Sequence, residues 1–475
     1  MTFEEFLNNY CNGDITVCYY RLSQVKEPFE KSLDQIRSEY DPNKHKVFDQ
    51  TYRKKKKTRV QDGYDEHGEP KYKNKYAEVC RVAIPVQRVL VERSVGFLFS
   101  IPVDYSYKDD VSEAAQELHN IVLKCFEENK IDYFDKKLAR EVAICREAAE
   151  LWYHLPDEEG KPSGDIRVMM FSPLKGDELL PMFDAYGRMI AFMRVYYTKD
   201  YIHPVKTRHI DVYTAKMLYS FVVDDRNQIG ETSVAPHGFD RIPLVYYRQD
   251  ETEWDSVQPA IQRMEDLVSN WGDTDDYFGS PSYFVKGSLL GYAEKGEQGK
   301  IYQADGDSDM RVLSWDNSPE SMRNELATLT NIVFSYTQTP DVSFENMKTL
   351  GNNTSGVALK LMFTDPHMKA QVKTEMYGEM FTRRYNIVKA VLAALNGTSQ
   401  RVADELYVRP LFTPYVPQND LEALQMLTQC TTQPILSQET AVAKNPLVDN
   451  PQDEITRLQT ETAAQTERNL FEATE

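Results

Sequence analysis

Catalytic signatures are the first thing missing from this chain. It has no G-x-S-x-G and no H-E-x-x-H, so nucleophile-elbow and zincin chemistry have no starting point. Gly299-Lys300 in "GEQGKIY" comes near a phosphate loop. The first glycine is absent at the required spacing, however, and Ile301 stands where a Ser or Thr would hold magnesium. The chain is therefore not expected to hydrolyse ATP. Cysteine is sparse: Cys11, Cys18, Cys80, Cys125, Cys145 and Cys430 form no C-x-x-C pair. Zinc-site and redox-motif readings fail, and scattered free thiols in a reducing compartment are expected. The eight histidines occur singly, as packing or surface residues do. No cofactor motif stands out, and none is expected.

Long apolar runs are missing too. The best membrane candidate, "VQRVLVERSVGFLFSIPV", is broken by Arg88, Glu92 and Arg93, so no spanning helix is expected. The start, "MTFEEFLNNYCNGD", lacks the basic and apolar regions of a secretory signal. Basic charge is in deficit: 55 Lys and Arg face 74 Asp and Glu, for a net charge of −19. A protein devoted to gripping nucleic acid is usually basic. This one repels a polyanion on average, so any DNA contact must be local or weak.

What is present is ordinary globular material: 41% hydrophobic and 27% charged over 475 residues, with room for two to four domains. Residues 1–250 read as mixed α and β. "KVFDQTYRKKKKTRVQDGYDEHGEPKYKNKYAEV" makes two polar extended arms around a turn near His67-Gly68. Its basic run, Arg53 to Lys57, fits either a solvated hairpin arm or a nucleic-acid contact or localisation signal. A helix is predicted over Val86 to Val95, then a strand through Gly96. Two more helices are predicted over 112–128 and 132–150, with Leu138, Val142, Cys145 and Ala149 on one face. Short strands follow, "DIRVMMFS", "GRMIAFMRVYYTK", "HIDVYTAKMLYSFVVDD" and "RIPLVYYRQ", which read as an antiparallel set.

The next region alternates one kind of helix with a small β insert. Asp255-Ser256 is a plausible N-cap, with Pro259 in the first turn. Val257, Ile261, Met264, Leu267, Val268 and Trp271 then mark a single apolar stripe. Residues 277–317 read as strands and turns. A second helix starts at Ser318-Pro319, its stripe made by Met322, Leu326, Leu329, Ile332, Val333 and Tyr336. Thr339 to Thr354 is a polar loop whose only cation is Lys348. A helix is predicted from near Ser355-Gly356 to about Leu395, interrupted by a kink or restart at Pro366, since proline lacks the N–H and clashes with the preceding turn. Its two halves together would span roughly 60 Å. The remainder is helical, with caps at Asn419 or Asp420, Ser437 and Asn450.

Two acidic groups invite a metal reading. Asp305, Asp307 and Asp309 alternate like the start of a calcium loop, but Met310 and Asp316 stand where glycine and glutamate are needed. Asp273, Asp275 and Asp276 could gather magnesium, which leaves a metal-dependent hydrolase as an alternative function.

The order of parts resembles the portal proteins of tailed bacteriophages, of the siphophage type. The likeness rests on "HGFDRIPLVYYRQDETEWDSVQPAIQRMEDLVSNWGDTDDYF", "TPDVSFENMKTLGNNTSGVALK", "RSVGFLFSIPVDY" and "LFTPYVPQNDLEALQMLTQCTTQPILSQETAVAKNPLVDNPQDEITRLQTE". It runs from about residue 75 to 462. It implies an α+β portal fold assembled into a ring, usually of twelve subunits, at a capsid vertex. Residues 1–255 would be the wing, 256–276 and 318–337 the stem helices, and 277–317 the clip. Residues 338–355 would be a tunnel loop, 356–412 the long kinked helix returning to the wing, and 413–475 a helical crown.

The same resemblance implies a non-enzymatic doorway for packaging and ejecting duplex DNA, non-specifically gripped, in the virion and, during assembly, in the host cytoplasm. Implied partners are further copies, terminase, major capsid and scaffolding proteins and a head–tail adaptor, with no membrane. Lys348, Asn352, Asn353 and Thr354 would face the DNA. Val257, Ile261, Met264, Leu267, Met322, Leu326, Leu329 and Val333 would pack neighbouring subunits. A different phage structural adaptor is the remaining alternative, but it gives no reason for the 338–355 loop before so long a helix.

Overall fold

The computed structural model describes residues 2–107, 111–156, 162–199, 206–224, 226, 228–278, 282–286, 289–291, 303–304, 309–313, 319–339, 363–415, 420–432, 435–448 and 450–472. The chain divides into two compact units, Met1–Thr339 with Lys369–Thr413, and Pro340–Met368 with Pro414–Glu475.

The first unit opens with helices α1 (Phe3–Cys11), α2 (Ile15–Val25) and α3 (Leu33–Tyr40), then the strands β1 (Lys56–Tyr64) and β2 (Pro70–Ala77). Next come α4 (Val86–Phe99), β3 (Asp104–Tyr107), α5 (Glu113–Glu128) and α6 (Ile131–Cys145). Eight strands follow: β4 (Glu147–Pro156), β5 (Pro162–Phe171), β6 (Glu178–Phe183), β7 (Met189–Lys199), β8 (Lys206–Tyr213), β9 (Met217–Val223), β10 (Ile229–Pro236) and β11 (Leu244–Arg248). Helix α7 (Gln258–Phe278) leads into the insert strands β12 (Ser282–Lys286), β13 (Leu289–Gly291), β14 (Gln303–Ala304) and β15 (Asp309–Leu313), and α8 (Pro319–Tyr336) leads out. Helix α9 (Thr364–Leu395), which belongs to this unit from Lys369 onward, is followed by α10 (Gln400–Glu405) and β16 (Val408–Leu411). The second unit carries α11 (Asp420–Thr432), α12 (Gln438–Ala443) and α13 (Pro451–Glu472).

All described strand pairs are antiparallel. One sheet has the order β10-β9-β8-β7-β6, a second β11-β4-β5, and β12 pairs with β15 to close the insert. The period of two sorts the five-stranded sheet's side chains between two cores. Leu180, Met182, Ala191, Met193, Ile210 and Val212 pack with Phe3, Cys11, Ile15 and Cys18 of α1 and α2. Leu179, Phe192 and Tyr213 turn the other way, toward Ala149, Leu151, Phe171, Leu244 and Tyr246 of the three-stranded sheet. The main core joins α4, α5, α6, the start of α7 and the later turns of α9.

Two sequence expectations change here. The helix expected to stop at Val95 continues as α4 to Phe99, because Leu98 and Phe99 are buried in the main core and the helix carries them there. The stripe expected to continue to Ala149 stops at Cys145. Arg146 takes a left-handed conformation (φ 69°), and the chain then enters β4, where Ala149 is buried as a strand residue.

Buried charge fixes α9. Arg384 is fully buried; its Nη1 lies 2.7 Å from Asp135 Oδ1 and its Nη2 2.6 Å from Glu150 Oε2. Burial, only partly offset by Arg384 and reinforced by the charge of Glu150, pushes the Asp135 carboxyl up to about 7. Earlier in the helix, Lys369 Nζ lies 2.7 Å from Glu253 Oε2, and Lys373 also donates to Glu253. Burial alone would raise the Glu253 carboxyl. The two ammonium groups outweigh it and hold it down at about 2. Among the described residues no helix is long and apolar enough to cross a membrane.

Candidate functional site

The paired helices α7 and α8 and the segment strapped along them carry most of the residues singled out above. The strand-to-helix junction that leads into α7 is built for geometry. Trp254 is fully buried, stacked on Tyr40 at 5.6 Å between ring centroids, and its Nε1 donates to Glu39 at 2.8 Å. Asp255 was expected to cap the helix forward. Instead it accepts from the Thr252 N–H behind it (2.7 Å) and pairs with Lys31 (2.7 Å). A 3-10 turn, Asp255–Val257, starts the helix, and Pro259 sits in the first turn of α7, where its missing N–H costs nothing.

The apolar stripe forms, but it is used inside the chain. Val257, Ile261, Met264 and Val333 belong to the main core, Leu267 is buried, and Leu326 and Leu329 pack partly buried against that core. Met322 is half-buried. Arg263 reaches across to Glu325 at 2.7 Å, joining α7 to α8 on their outer side. These side chains were expected to meet a neighbouring copy. Burial within the chain accounts for Val257, Ile261, Met264, Leu267 and Val333, while Met322, Leu326 and Leu329 keep part of their surface open. Of the α8 stripe, Ile332 and Tyr336 remain exposed, Tyr336 at 74%.

Along another face of α7 runs a polar row that the sequence reading did not find. Glu265, Ser269 and Asp273 stand at i, i+4 and i+8. Glu265 Oε1 accepts from the Ile84 N–H (2.9 Å), Ser269 Oγ from the Val82 N–H (2.9 Å) and Asp273 Oδ1 from the Cys80 N–H (2.7 Å). Four helical residues rise about 6 Å, and two residues of extended chain advance about 6.6 Å. The two periods match closely enough for the strap 80–84 to dock antiparallel on the helix. His45 Nδ1 adds a 2.5 Å contact to the same Glu265 oxygen, both groups being buried. Tyr52 donates to Asp266 at 2.7 Å.

Gly272 lies under this strap, and a Cβ there would meet Cys80 Sγ at 2.5 Å. The signal that could have revealed the row is its helical spacing beside the stripe. Its partners, however, lie more than 180 residues away.

Asp273 was a candidate magnesium ligand. Its second oxygen takes Arg53 Nη2 at 2.7 Å and lies 3.4 Å from Lys56 Nζ, so the carboxylate is engaged by protein donors on both sides. Asp275 and Asp276 are exposed at the end of α7. Asp309 lies in β15, while Asp305 and Asp307 fall outside the described residues. Among the described residues no group of three or more His, Cys, Asp or Glu is placed to hold a metal ion. Lys348, Asn352, Asn353 and Thr354 lie outside the described residues. Pro366 is in the first turn of α9, a position that tolerates proline. The upstream half of the expected kinked helix, 355–362, lies outside the described residues.

A family model described as phage portal protein, SPP1 Gp6-like, matches residues 24–468. The chain belongs to that portal family. This portal-family chain is 24% identical over 400 residues to the portal protein of Bacillus phage SPP1, covering 79% of its own length and 74% of the relative's. Among solved structures it is similar to a chain in the neck of a native gene transfer agent particle computed with C12 symmetry, with TM-score 0.40 and 10% identity over 76% of this chain and 88% of that one. A chain in the virion of a native gene transfer agent particle matches with TM-score 0.34 and 10% identity, covering 74% and 86% respectively. The portal family is a structural one, belonging to the phage particle.

Proposed function

We propose that this protein is the subunit of a ring at one vertex of a phage capsid, a channel through which duplex DNA is packaged and later ejected. The family match over residues 24–468 carries this reading. On it, α7 and α8 form the stem, the β12–β15 insert the clip, the strand-rich body before α7 the wing, and the C-terminal helices the crown. The ring has about twelve copies by likeness to portals. Terminase, capsid and scaffolding proteins and a head–tail adaptor are its partners, met in the host cytoplasm during assembly and retained in the virion.

Neighbouring stems in this reading meet through the part of the stripe left open, Met322, Leu326 and Leu329, and through Ile332 and Tyr336, which stand exposed. Lys348, Asn352, Asn353 and Thr354 form the loop facing DNA. One cation among neutral donors suits sliding, since each neutralised phosphate adds affinity through counterion release and many would make DNA stick.

Negative-stain images of the purified full chain test the ring: annular particles with a central hole are expected, and compact particles of about one chain's mass at all concentrations would overturn it. The loop has its own test. Lys348→Glu should leave rings intact and lower packaging of DNA in an assembly reaction, and normal packaging would remove Lys348 from the mechanism.

A further inference from the structure

The hairpin β1–β2 is unlike the rest of the first unit. Residues 62–78 are all exposed, and so are 54–57, 59 and 60. Both faces of the ribbon are therefore bare. An isolated two-stranded ribbon is marginally stable in water, so cover from outside the chain is what this one lacks.

Its charge is sorted. The half near the root carries seven cations, Lys54, Lys55, Lys56, Lys57, Arg59, Lys73 and Lys75, while Lys71 stands toward the tip beside Pro70. Two of these are engaged at the root, Lys55 with Glu78 and Lys56 with Asp273. The tip carries Asp62, Asp65, Glu66 and Glu69. Register places Lys57 opposite Tyr76, Arg59 opposite Asn74 and Val60 opposite Lys73, and Arg59 lies 5.9 Å from the Tyr72 ring centroid. On β2, lysines therefore alternate with the exposed Tyr72 and Tyr76.

The root is rigid. Arg53, just before β1, and Cys80, just after β2, both bind Asp273 of α7. Arg53 Nε also donates to the Cys80 carbonyl (2.7 Å), and Arg81 Nη2 donates to the Arg53 carbonyl (3.0 Å). A ribbon held this firmly at its base, with its described side chains exposed along both strands, is set to present its faces to another molecule.

We propose that β1–β2 is an assembly arm that lies on the acidic surface of a second copy of this chain. This deepens the ring reading and rests on it. Two observations favour a second copy over nucleic acid. The arm's tip is acidic, and its carboxylates repel phosphates when the ribbon lies full length on a nucleic acid. The chain as a whole carries −19, so every additional copy brings carboxylates to an arm whose root half is basic.

The test uses the full chain and the variant Lys57→Glu/Arg59→Glu/Lys73→Glu/Lys75→Glu, all exposed positions whose change leaves the fold alone. Oligomer distributions are measured by native mass spectrometry across protein and salt concentration, with circular-dichroism melting as the folding control and a labelled 30-base-pair duplex as a binding probe. The expected result is unchanged melting and a concentration for half-assembly raised about tenfold or more, since four rim charges are reversed together. Wild-type half-assembly should itself move to higher concentration as salt rises. A variant that assembles like wild type overturns the arm and leaves the ring reading standing. If that variant has also lost duplex binding, the arm belongs to nucleic acid. Wild-type chain that stays monomeric throughout overturns the ring reading and the arm together.

Discussion

Helices α9 and α7 share the apolar main core but differ in the polar contacts that hold them. α9 is fixed by ions taken out of water: Arg384 between Asp135 and Glu150, and Lys369 and Lys373 on Glu253. α7 is fixed by an apolar stripe on one side and, on another, by neutral or singly charged acceptors that take backbone N–H groups of a strap. The first arrangement is costly to break because a buried charge left without its partner has no water to turn to. The second is a sum of modest contacts, each lost separately. The difference teaches that breaking one contact should cost more on α9 than on α7, where the load is spread over several weaker contacts.

The largest effect should come from α9. Arg384→Leu leaves Asp135 and Glu150 buried and uncompensated, and should cost about 3–5 kcal/mol in denaturant unfolding; a loss under 1 kcal/mol would mean that the guanidinium does not bind α9 to the body. Next is acid. Glu253 ionises at about 2 in the folded chain against 4.5 for a free glutamate. Its contribution, about 3 kcal/mol, is complete above pH 4.5 and lost as pH falls toward 2. Urea midpoints measured through that window should drop more steeply for wild type than for Glu253→Gln, and parallel curves would show that the two lysines do not govern it.

Smaller effects belong to α7. Gly272→Ala drives a methyl into Cys80 Sγ and should cost about 1–3 kcal/mol, partly recovered in the double variant with Cys80→Ala. A single variant as stable as wild type would mean that the strap is loosely seated. Smallest, Ser269→Ala orphans the Val82 N–H and should lower stability by about 1 kcal/mol in thermal melts. An equal loss from Ser269→Ala and Arg384→Leu would erase the contrast between the helices.

What could be read from the residues followed local period. The stripe of Val257, Ile261 and Met264, the start at Pro319 and the antiparallel strands obey spacings of 3.6 or 2, and the structure has them. What escaped depends on distant partners. Nothing near Ser269 announces Val82, nothing near Arg384 announces Asp135, and the left-handed turn at Arg146 that converts Ala149 from helix to strand has no glycine to mark it. The stripe itself was legible, but how much of it this chain covers was not: an apolar face says that it will be covered, and only the fold says that Val257, Ile261 and Met264 go into the main core. Of the candidate site, the helix pair was visible in advance and the strap was not.

Asp273 ties down both ends of the β1–β2 ribbon, one through Arg53 and the other through Cys80. A tug on the ribbon is thus shared between two strands and delivered to a single turn of α7 with no slack in between. Load on either strand therefore reaches the same carboxylate, so losing Asp273 would loosen both ends of the ribbon at once.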